Sequence, residues 1–205
     1  MDDFVSHCLF SGIADLRDIN ISEGPQLLNR PCAAWFCGPK SIPDDLRPWA
    51  EKVRTVTDRK TKIWVQIGTV AEAIAVAEAL SPDVLVVQGS DAGGHGLAQS
   101  ASIVTLVPEV KDALAKRQTK TDTISIVAAG GIADGRGMAA SLALGASGAV
   151  MGTRFLASSE AKIARGYQDE VLRASDGGTS SVRSTVYDRV RGILSWRHDM
   201  TGEGS

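Results

Sequence analysis

Aromatic side chains are scarce in this 205-residue chain, at 5% of residues. A core built almost without them rests on Ala, Val, Leu and Ile, and 21 glycines allow many tight turns. That suits alternating strands and helices better than an all-β sandwich. Cysteine is sparse too: Cys8, Cys32 and Cys37 are too few and too clustered for a disulfide framework. His7, His95 and His198 stand far apart with no H-x-x-x-H or C-x-x-C spacing, so no metal centre is expected. No basic excess exists, since 22 basic and 24 acidic residues sum to −2. This argues against a dedicated nucleic-acid or anionic-membrane binder. No run of about eighteen apolar residues is present, so no membrane span is expected. The acidic opening Met1-Asp2-Asp3 lacks a secretory pattern. The expectation is a soluble cytoplasmic protein. With 43% hydrophobic and 22% charged residues, it has the composition of a folded domain.

From Pro31 onward, short apolar runs alternate with helical patterns. Residues 32–36 read as a strand stopped by Gly38-Pro39. Within 43–56, Leu46, Trp49, Ala50 and Val53 recur at helical spacing. Residues 63–67 form the next strand. Thr69 and Glu72 then make a T-x-x-E capping box before a helix face of Val70, Ala73, Ile74, Ala77 and Leu80. Residues 84–87 are apolar on consecutive positions, which marks a parallel strand buried on both faces. Residues 103–114 read as helix, with Pro108 near its start or at a break. Residues 123–129 are a buried strand ending in Gly130-Gly131. Asp134 caps a helix through Met138, Leu142 and Leu144, closed by Gly145. Residues 149–151 are a short strand ending at Gly152-Thr153, and Ser159 caps a last amphipathic helix to about Ala174. Residues 1–30 and 175–205 are poorly patterned. A single domain over 1–205 is expected, best supported over 31–174. The alternation implies right-handed βαβ units and a parallel sheet. About five strands are visible, whereas a closed (β/α)8 barrel needs eight and about 250 residues. Length alone therefore favours an open doubly wound sheet.

Glycines cluster after three strands, at Gly93-Gly94, Gly130-Gly131 and Gly152. Both α/β architectures place ligands at these carboxyl ends. A single glycine pair there is most simply a turn. Two such loops after the last two strands, each leading into a helix, suit a phosphate held by backbone amides. Thr153 adds a hydroxyl and Arg154 a counter-charge. No G-x-G-x-x-G follows the earliest strand, and neither a P-loop nor a G-x-S-x-G elbow exists. His95 sits between glycines in the loop after the most buried strand, where little side-chain mass can bury an imidazole. It is expected to face the cleft as a proton donor or acceptor. Gln66 and Gln88 end adjacent strands; an amide suits the edge of a heteroaromatic ring, though each is equally an ordinary strand-end residue. Asp91, Asp134, Arg136, Glu160 and the Asp44-Asp45 pair read as caps and helix-end charges.

Three stretches resemble the nitronate monooxygenase family of FMN-dependent barrel enzymes: VVQGSDAGGHG (86–96), VAAGGIADGRG (127–137) and GAVMGTRFLAS (148–158). WVQIGTVAEA (64–73) resembles the family's preceding strand and helix, and the likeness covers about 31–174. The first block is specific. The other two are shared with IMP dehydrogenase relatives and FMN-dependent enoyl reductases. The resemblance implies a (β/α)8 barrel, here partial, with the visible strands as its fourth to eighth. The family's earlier strands have no counterpart here, which leaves strand edges to be covered, and a homo-oligomer would do so. It implies that Gly130, Gly131, Gly152 and Thr153 hold the FMN phosphate. Ala129 and Met151 flank those loops as further cofactor contacts. Gln66, Gln88, Gly93 and Gly94 would lie by the flavin ring, and His95 would be the active-site residue. The implied reaction is oxidation of an alkyl nitronate by dioxygen to nitrite and a carbonyl compound. Two alternatives stay open, an FMN-dependent enoyl reductase and an inactive fragment that binds flavin weakly.

Overall fold

Strand alternation sorts the side chains before any helix packs. The computed structural model describes residues 8–11, 31–39, 41–117 and 124–191. In chain order the elements are β1 (Cys8–Ser11), β2 (Ala33–Phe36), α1 (Leu46–Val56), β3 (Lys62–Ile67), α2 (Val70–Leu80), β4 (Val84–Gln88) and α3 (Ile103–Ala115), then β5 (Ser125–Ala129), α4 (Gly135–Ala143), β6 (Gly148–Val150), α5 (Thr153–Leu156), α6 (Arg165–Arg173), α7 (Gly177–Ser180) and α8 (Val186–Arg191). One six-stranded sheet runs β1-β2-β3-β4-β5-β6. Every pair from β2 to β6 is parallel. These are the five βα units of a partial barrel. Among the described residues β1 and β6 do not pair, so the sheet stays open.

In β3, Ile63, Val65 and Ile67 point to the helices and join Phe36, Leu85, Val87, Leu46, Val76, Val107 and Val110 in the main core. The alternate residues face away from the helices. There Val84, Val86 and Ala129 pack with Trp35, Trp64, Val127 and Val150. Trp35 and Trp64 meet at 6.1 Å between ring centroids. The same parity puts Gln66, two residues after Trp64, and Gln88, two after Val86, on this second face at the carboxyl ends of β3 and β4. Val84 to Val87 are all buried, as their unbroken apolar run requires.

The Thr69 hydroxyl accepts from the Glu72 amide at 3.1 Å, and the Glu72 carboxylate accepts from the Gly68 amide at 2.8 Å. The side chains of Thr69 and Glu72 thus each accept from a backbone amide at the start of α2. Asp134 caps α4 by accepting from the amides of Arg136 (2.9 Å) and Gly137 (3.1 Å). Gly145, with φ +100°, ends that helix as expected. Asp45 holds the N-cap position of α1 without a side-chain cap; its carboxylate accepts from the Ser41 amide. Helix α3 runs through Pro108 without breaking. The carbonyl that Pro108 cannot serve belongs to Val104, a residue 61% exposed, where water can take its place.

Three expectations need correction. The poorly patterned N-terminal region supplies β1, which pairs antiparallel with β2 (Cys8 opposite Phe36, Ser11 opposite Ala33) and covers that sheet edge. Four residues are too short a run for periodicity to reveal. Ser159 caps nothing: its hydroxyl donates to Glu160, and the last long helix starts at Arg165 behind Ala164. The C-terminal segment also carries short helices α7 and α8. Helices α5 and α7 are four residues each and bury none, so no apolar stripe announces them; α6 also buries none, but it ends at Arg173, next to the expected Ala174. Thr123, His7 and His198 lie outside the described residues.

Candidate active site

The connection from β4 to α3, residues 89–102, is long for a βα loop and carries His95. It is tied down along its length. The Ser90 amide donates to the Ala101 carbonyl (2.9 Å) and the Ala92 amide to the Gly89 carbonyl (3.1 Å). The Ser100 hydroxyl donates to the Gly68 carbonyl at 2.8 Å, fastening the loop to the end of β3. Gln88 donates its side-chain amide to the carbonyl of His95 itself, at 3.0 Å. A strand-end amide thus holds the histidine's backbone. His95 is half-buried, while Gly93 and Gly94 are exposed.

The loops after β5 and β6 close on this one. Gly130 has φ +115° and Gly131 φ +69°, conformations L side chains rarely adopt. A Cβ on Gly130 would lie 3.0 Å from the Ala92 amide nitrogen and 3.2 Å from the Gly89 carbonyl oxygen. A Cβ on Gly93 would lie 3.1 Å from the Thr153 hydroxyl. Glycine at these positions is what lets three loops from β4, β5 and β6 meet. Among the described residues the amides of Gly131, Gly152 and Thr153 find no protein acceptor. Successive unpaired amides such as those of Gly152 and Thr153 are donors that can bind an anion. Ala129 is buried at the end of β5, and Met151 is half-buried after β6.

Gln66 and Gln88 are brought together. Both line a cavity of about 20 Å³ with Gly38, Pro39, Gly68 and Leu97, room for one water-sized molecule. Leu97 closes one wall; a Cβ on Gly68 would sit 2.6 Å from its Cδ1. Asp91 takes no capping amide; its carboxylate accepts from the Ser90 hydroxyl at 3.4 Å. Asp134 is held below the ordinary carboxylate range, first by the Arg136 guanidinium and then by the Gly137 amide. It is an exposed cap. Arg154 is exposed in the first turn of α5. No cluster of three or more potential metal ligands exists among the described residues. No described helix is long and apolar enough to cross a membrane.

Arg183 lies between α7 and α8. Its guanidinium donates to the carbonyls of Ala92 (2.9 Å), Ser90 (3.3 Å) and Gly94 (3.3 Å). An arginine in a Ser- and Gly-rich stretch carries no periodic signal, and only tertiary contact reveals it.

Residues 47–195 match the family model described as nitronate monooxygenase. The nitronate monooxygenase npaC of Metarhizium robertsii is 48% identical over 181 residues, which is 87% of this chain and 49% of that protein. A nitronate monooxygenase of Neurospora crassa is 44% identical over 140 residues, 68% of this chain and 36% of that protein. The chain therefore spans about half, or less, of the length of these relatives. Among solved structures, FabK from Thermotoga maritima superposes with a TM-score of 0.56 at 32% identity, covering 66% of this chain and 40% of that one. A nitroalkane oxidase from Streptomyces ansochromogenes superposes with a TM-score of 0.50 at 32% identity, covering 58% and 35%. With a family match across most of its length and glycine loops that meet at the carboxyl ends of a half-barrel's strands, the chain belongs to the nitronate monooxygenase family.

Proposed function

We propose that this chain binds FMN where its three glycine loops meet, and that it supports oxidation of an alkyl nitronate by dioxygen to nitrite and a carbonyl compound. The family is flavin-dependent. The residues present fit the cofactor. Positive-φ glycines at 130 and 131 let the β5 loop pack against Gly89, Asp91 and Ala92, Gly152 has open space where a Cβ would be, and among the described residues the amides of Gly131, Gly152 and Thr153 lack protein acceptors. These groups would hold the phosphate, with the Thr153 hydroxyl as a further donor. Ala129 and Met151 would border that pocket. Gln66, Gln88, Gly93 and Gly94 would lie beside the ring.

Bound flavin supplies the redox chemistry, and the protein supplies position and electrostatics. His95 would donate an imidazole N–H to a nitronate oxygen and hold or return a proton there. Gln88 fixes the backbone that carries this imidazole. The observation that carries the reading is the close approach of Gly93 to Thr153, which joins the His95 loop to the phosphate cradle.

The test is to purify the chain, add FMN, and measure nitrite released from propyl-2-nitronate. His95→Ala is expected to lower kcat/KM by about a hundredfold or more while FMN stays bound. Full activity in that variant removes the histidine from the reaction. Bleaching of the flavin by NADH without oxygen would favour the enoyl-reductase alternative, and a protein that takes up no FMN defeats the proposal.

A further inference from the structure

We infer that Arg183 is a positioning residue: its guanidinium sets the peptide planes of the loop that carries His95. The three carbonyls it grips, those of Ser90, Ala92 and Gly94, belong to alternate residues of one loop. In a trans peptide the carbonyl and the following N–H point in opposite directions. A guanidinium that draws the Ala92 and Gly94 carbonyls to itself therefore turns the Gly93 and His95 amides the other way. Gly93 is the residue beside the Thr153 hydroxyl. The orientation of that junction thus depends on a side chain about ninety positions away.

A second observation shows that the loop is built around this contact. A Cβ on Gly96 would lie 2.6 Å from Arg183 Nη1 and 3.2 Å from its Cζ. Glycine at 96 is what admits the guanidinium. Arg183 has no carboxylate partner among the described residues, so its charge is satisfied by carbonyl dipoles at the mouth of the site. A planar fork with several donors can serve three carbonyls at once, whereas an ammonium on a flexible stem is a point charge without that geometry. The consequence for catalysis rests on the FMN reading above; the consequence for loop order does not.

The test compares wild type, Arg183→Ala and Arg183→Lys by amide hydrogen exchange, FMN affinity from quenching of flavin fluorescence, and urea unfolding. In Arg183→Ala, exchange across residues 88–97 is expected to quicken about tenfold or more, with the unfolding midpoint unchanged. FMN affinity is expected to fall about tenfold, and lysine is expected to restore neither. Unchanged exchange across 88–97 overturns the inference, and so does full recovery with lysine. Wild-type protein that binds no FMN, alongside a loosened loop in Arg183→Ala, defeats the proposed function and leaves the positioning role supported.

Discussion

At the scale of single residues, glycine does two different jobs in this chain. Gly130 combines φ +115° with a neighbour 3.0 Å from any Cβ, so Gly130→Ala is strained twice. It is expected to cost about 1–3 kcal/mol and to weaken FMN binding, read from urea denaturation and flavin titration. Gly148 has open space where its Cβ would be and no positive φ, so Gly148→Ala should stay within about 0.5 kcal/mol of wild type. Equal effects at the two sites would show that the loop contact does not matter. Cys37 makes a separate prediction. Burial pushes its thiol up to about 11 from 9.0, so the folded state keeps it neutral. Its contribution to stability is fully present below about pH 9 and is lost as pH rises towards 11. A shift of this size is worth roughly 2–3 kcal/mol. Unfolding measured at pH 7 and pH 10.5 should show a smaller decline in Cys37→Ala than in wild type. Identical declines would assign alkaline instability to other groups.

At the scale of elements, local chemistry decides where helices begin. The helix α2 was legible because Thr69, Glu72 and the apolar stripe agree, and its observed bounds, Val70–Leu80, follow from that box. Thr69→Ala removes the acceptor for the Glu72 amide and is expected to cost about 1 kcal/mol, seen as a lower urea midpoint with an unchanged slope. No change would mean that the Glu72–Gly68 bond suffices alone. β4 was legible for a different reason: only a strand covered on both faces tolerates four consecutive apolar residues. At Ser159 a good capping residue type does not start the helix, which begins at Arg165 behind Ala164. In α6 every residue remains at least partly exposed, so no buried stripe corroborated a boundary.

At the scale of the whole molecule, the site belongs to no single element. Its walls come from the ends of β4, β5 and β6, with an arginine from the C-terminal segment bonded to the loop after β4. A ligand that bridges these loops couples them to the sheet. FMN at a hundredfold excess over its Kd is expected to add about 2.7 kcal/mol, raising the melting temperature by roughly 5–10 °C. Riboflavin, which lacks the phosphate, should raise it much less. Equal shifts from the two would remove the amide cradle from the binding site.

Sequence alone determined where β2 to β6 and α1 to α4 lie, and which loops carry Gly130, Gly152 and His95. These are local properties, written in short apolar runs, in spacings of three to four and in capping residues. Tertiary structure decided what touches what. That Gln88 grips the His95 carbonyl, that β1 pairs backwards onto β2, and that Arg183 reaches the loop all depend on contacts across many residues. Such contacts form only once the sheet has set the distances between its strand ends, and no local spacing encodes them.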